Sequence, residues 1–94
     1  MIGVTVSYYN MLRLHTGLAQ ERLELPEGTE VAAAIRRLAE RHGPALAELL
    51  LSPSGELASH LVVFCNQQLV FPGGPARPLA EGDEVKLFPA ISGG

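Results

Sequence analysis

Hydrophobic and polar side chains alternate from the second residue onward, which is the period of a half-buried strand. The residues on one face are Ile2, Val4, Val6 and Tyr8, and those on the other are Gly3, Thr5, Ser7 and Tyr9. The alternation returns at Leu23 and Leu25, after a connection over residues 10–17, and Pro26 ends it. This pattern predicts two strands that pair as a hairpin.

A helical period replaces the alternation in the next segment. Apolar side chains recur at Val31, Ala34, Ile35 and Leu38, and charged side chains on the opposite face are Arg36, Arg37, Glu40 and Arg41. Thr29 stands where a helix N-cap is expected, and Gly43 followed by Pro44 ends the helix. Pro44 in turn suits the first turn of a short second helix over residues 45–51.

The last third of the chain has the pattern of strands separated by turns. Residues 61–65 are apolar on both faces, which is typical of an interior strand, and Asn66 and Gln67 turn the chain into a strand over residues 68–71. A loop over residues 72–75 and a tight turn at residues 81–83 precede a last strand over residues 85–88.

This order of elements predicts a single α+β domain over residues 1–94. The main helix is long enough to cross the sheet and return the chain parallel to the first strand. The simplest layered solution is a β-grasp (ubiquitin-like) fold, a mixed sheet of four to five strands with one main helix packed across it and a second short helix.

Composition narrows the classes of function. The net charge of the 94 residues is −3, with no basic stripe, so we expect no nucleic-acid partner. The longest apolar run is far shorter than the ~20 residues that a bilayer requires, so we expect a soluble, cytoplasmic protein with no membrane partner. A single cysteine, Cys65, excludes an internal disulfide or a thiolate zinc cage, and apolar packing must hold the core.

Candidate catalytic side chains are few. His15, His42 and His60 are widely spaced, so we interpret them as surface or helix-end residues and predict no metal site. Cys65 lies within the most apolar strand and is expected to be a buried hydrophobe. The glycine pair at residues 73–74 lacks the Lys-Ser or Lys-Thr of a phosphate loop and is interpreted as a plain loop.

The end of the chain carries a different kind of signal. If the last strand ends near Pro89, residues 90–94 form a projecting tail that can extend roughly 17 Å. Gly93 and Gly94 have no Cβ, so such a tail can pass a narrow constriction and place the α-carboxylate of Gly94 at its bottom. A frayed terminus with no function is the alternative.

The sequence also resembles a known family, over nearly its whole length. The matching segments are residues 9–13, 25–29, 65–70, 79–85 (Leu-Ala-Glu-Gly-Asp-Glu-Val) and 88–94 (Phe-Pro-Ala-Ile-Ser-Gly-Gly). Together they are similar to the MoaD/ThiS family of ubiquitin-like sulfur carriers. The length and the extra short helix are most like the MoaD branch, the small subunit of molybdopterin synthase.

The resemblance implies a sulfur carrier that is not an enzyme by itself and binds no cofactor of its own. An E1-like adenylating enzyme of the MoeB/ThiF type would use ATP to activate the Gly94 carboxylate, and a persulfide donor would convert it to a thiocarboxylate. Gly93, Ser92 and Ile91 would give the tail access to a partner pocket. In the MoaD branch that pocket belongs to a MoaE-like large synthase subunit.

Two aromatic side chains are candidates for partner docking. Phe88 is predicted to face away from the helix because Val85 and Leu87 face toward it, and Phe64 follows the same alternation. With Pro89, they would form an apolar anchor beside the tail. Burial of both rings under neighbouring loops is the alternative.

Other functions are compatible with the same residues. The final sulfur acceptor could belong to thiamine synthesis or tRNA thiolation. A ubiquitin-like modifier would instead join Gly94 to lysines of target proteins. A noncovalent β-grasp binding module, with a dispensable tail, is an alternative of another class.

Overall fold

The computed structural model describes residues 1–74 and 77–89. The tail predicted over residues 90–94 lies outside the described residues. The strands are β1 (Ile2–Tyr8), β2 (Gln20–Leu25), β3 (Leu61–Cys65), β4 (Gln68–Phe71) and β5 (Glu84–Pro89). The helices are α1 (Met11–Thr16), α2 (Val31–His42) and α3 (Pro44–Leu50).

The strands form one mixed sheet in the order β2-β1-β5-β3-β4. β1 pairs antiparallel with β2, and β3 pairs antiparallel with β4, so both predicted hairpins are present. β5 lies between the hairpins, parallel to β1 and antiparallel to β3. The strand that returns parallel to β1 is therefore the last one and not the strand that directly follows the helices.

The core lies between the sheet and the helices. In β1, β3 and β5 alternate side chains are buried, and α2 presents its apolar stripe to the same layer. The most completely buried large side chains include Tyr8, Leu12, Ile35, Leu38, Leu46, Leu50, Leu61 and Leu87. The α+β fold, with α2 as the main helix and α3 as the second short one, agrees with the prediction, and the interior position of β3 is confirmed.

Two local features differ from the prediction. Residues 10–17, expected to be a connection, contain the short helix α1, which buries Leu12 and ends at Gly17 in a left-handed conformation. A helix of six residues is too short to show the helical period of apolar side chains in the sequence. The N-cap of α2 is Glu30 and not Thr29, because the Thr29 hydroxyl donates a hydrogen bond back to the Pro26 carbonyl at 2.7 Å.

The loop after β4 brings the backbone very close to itself at Gly74. A Cβ built at Gly74 would lie 2.4 Å from the Val70 Cα and 2.6 Å from the Val70 carbonyl oxygen. At Gly3 a Cβ would also meet a near neighbour, but that neighbour is the far end of the Arg22 side chain. The Arg22 guanidinium can move, whereas the β4 backbone cannot move without disturbing its pairing with β3.

We predict that Gly74→Ala lowers the free energy of unfolding by about 1–3 kcal/mol, the usual cost of overpacking. Gly3→Ala is the matched control and should cost clearly less. Urea unfolding followed by far-ultraviolet circular dichroism measures both. Equal losses for the two variants would contradict the interpretation that the Val70 backbone is the obstacle.

Candidate functional site

A hydrogen-bonded turn fixes the start of β5, the strand that leads to the predicted tail. The buried carboxylate of Asp83 accepts hydrogen bonds from the Ala80 backbone N–H and from the Asn66 side-chain amide, each at 2.8 Å. The Asn66 side-chain oxygen accepts from the Glu84 backbone N–H at 2.9 Å. We call this the Asp83–Asn66 clasp; it joins the β3–β4 turn to the first residue of β5.

Asn66 can make both contacts because of its backbone conformation. Asn66 and Gln67 have φ values of 51° and 71°, the combination that a two-residue hairpin turn requires. Asparagine tolerates this region better than most residues. The tight turn thus holds the Asn66 side chain toward the base of β5.

The clasp shifts the acidity of two groups. Burial favours the neutral form of Asp83, but the hydrogen bonds from Ala80 and Asn66 and the charge of Arg77 outweigh it and lower the pKa of that carboxyl. Cys65 is completely buried nearby, and burial together with the Asp83 charge raises the pKa of its thiol despite the Arg77 guanidinium 3.3 Å from Sγ. Cys65 is therefore a buried core residue, as predicted. Its thiol stays neutral, and a neutral buried thiol is a poor nucleophile.

An aromatic cluster occupies the sheet face opposite the helices. The Phe88 and Tyr9 rings stack with centroids 4.3 Å apart, and the Phe64 ring meets Phe88 edge-on at 5.8 Å. All three rings are half-buried, so neither predicted anchor is closed off under a loop. Leu69 lies opposite Phe64 on β4 and is 46% exposed. We call these four residues the aromatic patch.

The structure separates the predicted docking residues. Phe64 and Phe88 are brought together in the aromatic patch, whereas Pro89 is buried at the end of β5, opposite Leu61. Tyr9 was not predicted as a site residue. Its outward position in the alternation of β1 was visible in the sequence, but nothing there placed it beside Phe88, because β1 and β5 are more than seventy residues apart.

The described part of the tail region ends at Pro89. Gly94, Gly93, Ser92 and Ile91 lie outside the described residues, so their predicted roles stay predictions. Such a tail would be attached to the end of β5. This strand is hydrogen-bonded on both sides and fixed at its start by the clasp.

A second polar cluster connects β2 to the end of α2. Oε2 of Glu21 accepts a hydrogen bond from the Tyr8 hydroxyl and lies 2.5 Å from Nε2 of His42. Oε1 of Glu21 lies 3.3 Å from the Arg41 guanidinium. Burial favours protonation of Glu21, but these partners lower the pKa of its carboxyl overall; burial and the Glu21 contact raise the pKa of Tyr8. His42 is thus a helix-end residue, and His15 and His60 are exposed, as predicted.

Residues 1–74 and 77–89 contain neither a cluster of metal ligands nor a membrane-spanning helix. No group of three or more His, Cys, Asp or Glu side chains is arranged to hold a metal ion in that part of the chain. No helix there is long and apolar enough to cross a membrane.

Comparison with known proteins identifies relatives over the whole chain. The family model described as the ThiS family matches residues 6–94. The chain is 35% identical over 96 residues to the sulfur carrier protein CysO of Mycobacterium tuberculosis, which covers 99% of this chain and 100% of that protein.

Three solved structures have a fold similar to that of this chain. SAMP1 from Haloferax volcanii has a TM-score of 0.83 and 29% identity, over 98% of this chain and 99% of that one. A putative molybdopterin converting factor subunit 1 from Pyrococcus furiosus has a TM-score of 0.73 and 24% identity, over 97% and 100%. The Amycolatopsis orientalis BexX/CysO complex gives a TM-score of 0.66 and 33% identity, over 97% and 99%.

The clasp generates a prediction about pH. The pKa of Asp83 is lower in the folded protein than the ~3.9 of a free side chain, so its stabilising contribution is complete above that value and is lost as the pH falls below it. At pH 7 we expect Asp83→Asn to lower the free energy of unfolding by about 1–3 kcal/mol. The difference from the parent protein should shrink below about pH 4.

Glu84→Gln is the control, because the Glu84 side chain is exposed. It should leave both the stability at neutral pH and its pH dependence nearly unchanged. Urea unfolding between acid and neutral pH measures all three proteins. A loss for Asp83→Asn that stays the same at every pH would argue against a charged clasp.

Proposed function

This chain belongs to the ThiS family of ubiquitin-like sulfur carriers, and from that membership we propose that the α-carboxylate of Gly94 is the group that carries sulfur. The observation that carries the proposal is the family match, which runs through the last residue of the sequence and includes its Gly-Gly pair. The chain is then a co-substrate, and its partners supply catalysis.

The chemistry requires an activated carboxyl group. A carboxylate is a poor electrophile until its oxygen is joined to AMP, which a MoeB/ThiF-type adenylating enzyme would do with ATP, releasing pyrophosphate. The terminal sulfur of a persulfide donor then displaces AMP and forms an acyl disulfide. A thiol cleaves the sulfur–sulfur bond, leaving the Gly94 thiocarboxylate and a disulfide on the donor side.

The described residues support this proposal in two ways. β5 is the central strand and is held by ladders on both sides and by the clasp, so it provides a fixed base for a short tail. In addition, the Cys65 thiol is no competing site for sulfur, since it is buried and burial raises its pKa.

The type of acceptor is a separate proposal. The resemblance of the sequence to the MoaD branch implies molybdopterin synthesis with a MoaE-like large subunit. The molybdopterin-related neighbour shares only 24% identity, which supports the fold alone, whereas the CysO relative shares 35%. We therefore propose a carrier of the CysO type that works with its own partner proteins in the cytoplasm, and molybdopterin synthesis stays an untested alternative.

The similarity to SAMP1 favours a second candidate function. That protein is a small archaeal modifier, and its TM-score of 0.83 is higher than that of the CysO complex. A modifier and a sulfur carrier share the adenylated carboxyl group and differ in the attacking nucleophile, a lysine amine in place of sulfur. The same protein can be tested for both products.

We predict that incubation with ATP, an E1-like enzyme of the same host and a persulfide donor replaces one oxygen of Gly94 by sulfur. Intact-protein and peptide mass spectrometry measure the change. A variant with one alanine added after Gly94 is the control and should not be loaded, since its carboxyl group lies on a residue with a Cβ. Loading at another residue, or equal loading of the extended variant, would contradict the proposal.

The aromatic patch generates a prediction about docking to the activating enzyme. Truncation of a central aromatic anchor usually costs more than 1 kcal/mol, so Phe64→Ala and Phe88→Ala should each raise the KM for this chain about tenfold. Pyrophosphate exchange at varied concentrations of the chain measures the KM, and circular dichroism confirms folding.

Leu14→Ala is the matched control. Leu14 is an exposed apolar residue on α1, 81% accessible, and lies outside the aromatic patch. It should leave the KM unchanged. If the phenylalanine variants also leave it unchanged, or if Leu14→Ala raises it equally, the aromatic patch is not the docking surface.

A further inference from the structure

One edge of the sheet is open for hydrogen bonding. β2 is the outermost strand, next to β1. Successive residues of a strand direct their backbone groups to opposite sides. On β1 the Thr5 N–H and the Gly3 carbonyl bond toward the β5 side, while the Tyr8 N–H bonds to Ala19 on the β2 side. The even-numbered residues of β1 therefore face β2.

This phase determines which groups of β2 are free of the ladder. In the register, Glu21, Leu23 and Leu25 of β2 lie opposite even-numbered residues of β1. The backbone N–H and carbonyl groups of these three β2 residues therefore hydrogen-bond to β1. The intervening residues Gln20, Arg22 and Glu24 direct their N–H and carbonyl groups away from the sheet. All three are exposed, so the edge presents a row of donors and acceptors to solvent.

A cleft lined by arginines runs beside this edge. Its volume is about 260 Å³, and it lies between β2 and the outer face of α2; the lining residues are Arg22, Leu23, Glu24, Arg37 and Arg41. Carboxylates pair with Arg22 and with Arg41, so the positive charge of the cleft that no carboxylate compensates within residues 1–74 and 77–89 is that of Arg37. We call this cleft, with the free edge of β2, the β2–α2 groove.

The three arginines differ in whether they already form ion pairs with carboxylates. Arg22 pairs with Glu24 at 2.7 Å and with Glu81 at 3.4 Å, and Arg41 pairs with Glu21 at 3.3 Å. Arg37 is exposed and makes no ion pair within residues 1–74 and 77–89. Arg37 is thus the cation of the groove that can accept a new carboxylate without giving up a partner in the described structure.

The groove also has a fixed shape. Glu21 joins β2 to the end of α2 through His42 at 2.5 Å and Arg41 at 3.3 Å. An open strand edge beside a helix held at a fixed distance is a suitable site for an added strand, because main-chain hydrogen bonds provide affinity and side-chain contacts to the helix provide specificity.

We propose that the β2–α2 groove binds an extended acidic segment of a partner protein as an additional strand on β2. Gln20, Arg22 and Glu24 bond its backbone, and Arg37, with Arg41, contacts its carboxylates. This interaction is separate from the Gly94 carboxylate and does not require sulfur loading.

A second copy of the chain and a purely protective edge would each behave differently from an acidic partner. Two copies paired through β2 would bring the arginines of both grooves together, and like charges at an interface are unfavourable. A protective edge would use the charges of Arg22 and Glu24 only to prevent edge-to-edge aggregation, as many edge strands do. In that case an acidic peptide has no preferred site.

The test uses the full chain, labelled with nitrogen-15, and a synthetic peptide of roughly eight alternating valines and glutamates, the length of a typical strand. A peptide with lysine in place of glutamate is its control. We expect saturable shifts and slowed hydrogen exchange at the Gln20, Arg22 and Glu24 amides with the acidic peptide alone. The affinity should fall as salt is added.

Three variants separate the contributions. Arg37→Glu should weaken peptide binding about tenfold or more, because repulsion replaces attraction. Gln20→Pro removes an outward N–H and no ladder bond, and should also weaken binding. Arg13→Glu, an equal charge change on α1, should have no effect beyond a small general one.

In the peptide experiments, any of three results overturns the proposal. These are no protection of the edge amides, equal binding of the lysine peptide, or an Arg37→Glu variant that binds as tightly as the parent while its spectrum remains that of a folded protein. Protection that depends on protein concentration and needs no peptide identifies a second copy as the occupant, which also overturns it.

Discussion

The last strand of the chain lies in the middle of the sheet, and the two halves of the domain are joined by that insertion. β5 closes the gap between two hairpins that otherwise share no ladder, parallel to β1 on one side and antiparallel to β3 on the other. The Asp83–Asn66 clasp fixes its first residue. Because the hairpins meet only through β5, the segment that leads to the carboxyl end is also the segment that completes the core.

The same insertion explains how a small domain presents distinct surfaces. The inward residues of β5 complete the core beneath α2. The outward Phe88 contacts Tyr9, which directly follows β1, and Phe64 of β3. The aromatic patch therefore forms only when β5 is in place and lies on the strand that continues toward the tail. The β2–α2 groove is on the far edge of the sheet, so its occupation and that of the aromatic patch involve different parts of the molecule.

Much of this was predictable from local patterns, and the exceptions have physical reasons. Alternation at Ile2 to Tyr8 and the stripe of α2 identify elements because each repeats several times. The helix α1 was not predicted because it buries only Leu12. The N-cap of α2 is Glu30 and not the predicted Thr29, because the Thr29 hydroxyl bonds to the preceding Pro26 carbonyl and not to the helix. The contact of Tyr9 with Phe88 depends on which strand neighbours β1, a property of the whole topology that no single segment encodes.

The functional proposal rests on one chemical group, the carboxyl end of Gly94, which other proteins would load with sulfur. Mass spectrometry of the carboxyl-terminal peptide, from protein isolated from its native host without exposure to alkylating or reducing agents, reports the chemical state of that group. We expect part of the population to carry sulfur in place of one carboxylate oxygen on Gly94. A peptide that holds only the ordinary carboxylate under conditions of active sulfur metabolism, or that continues past Gly94, would contradict the proposal.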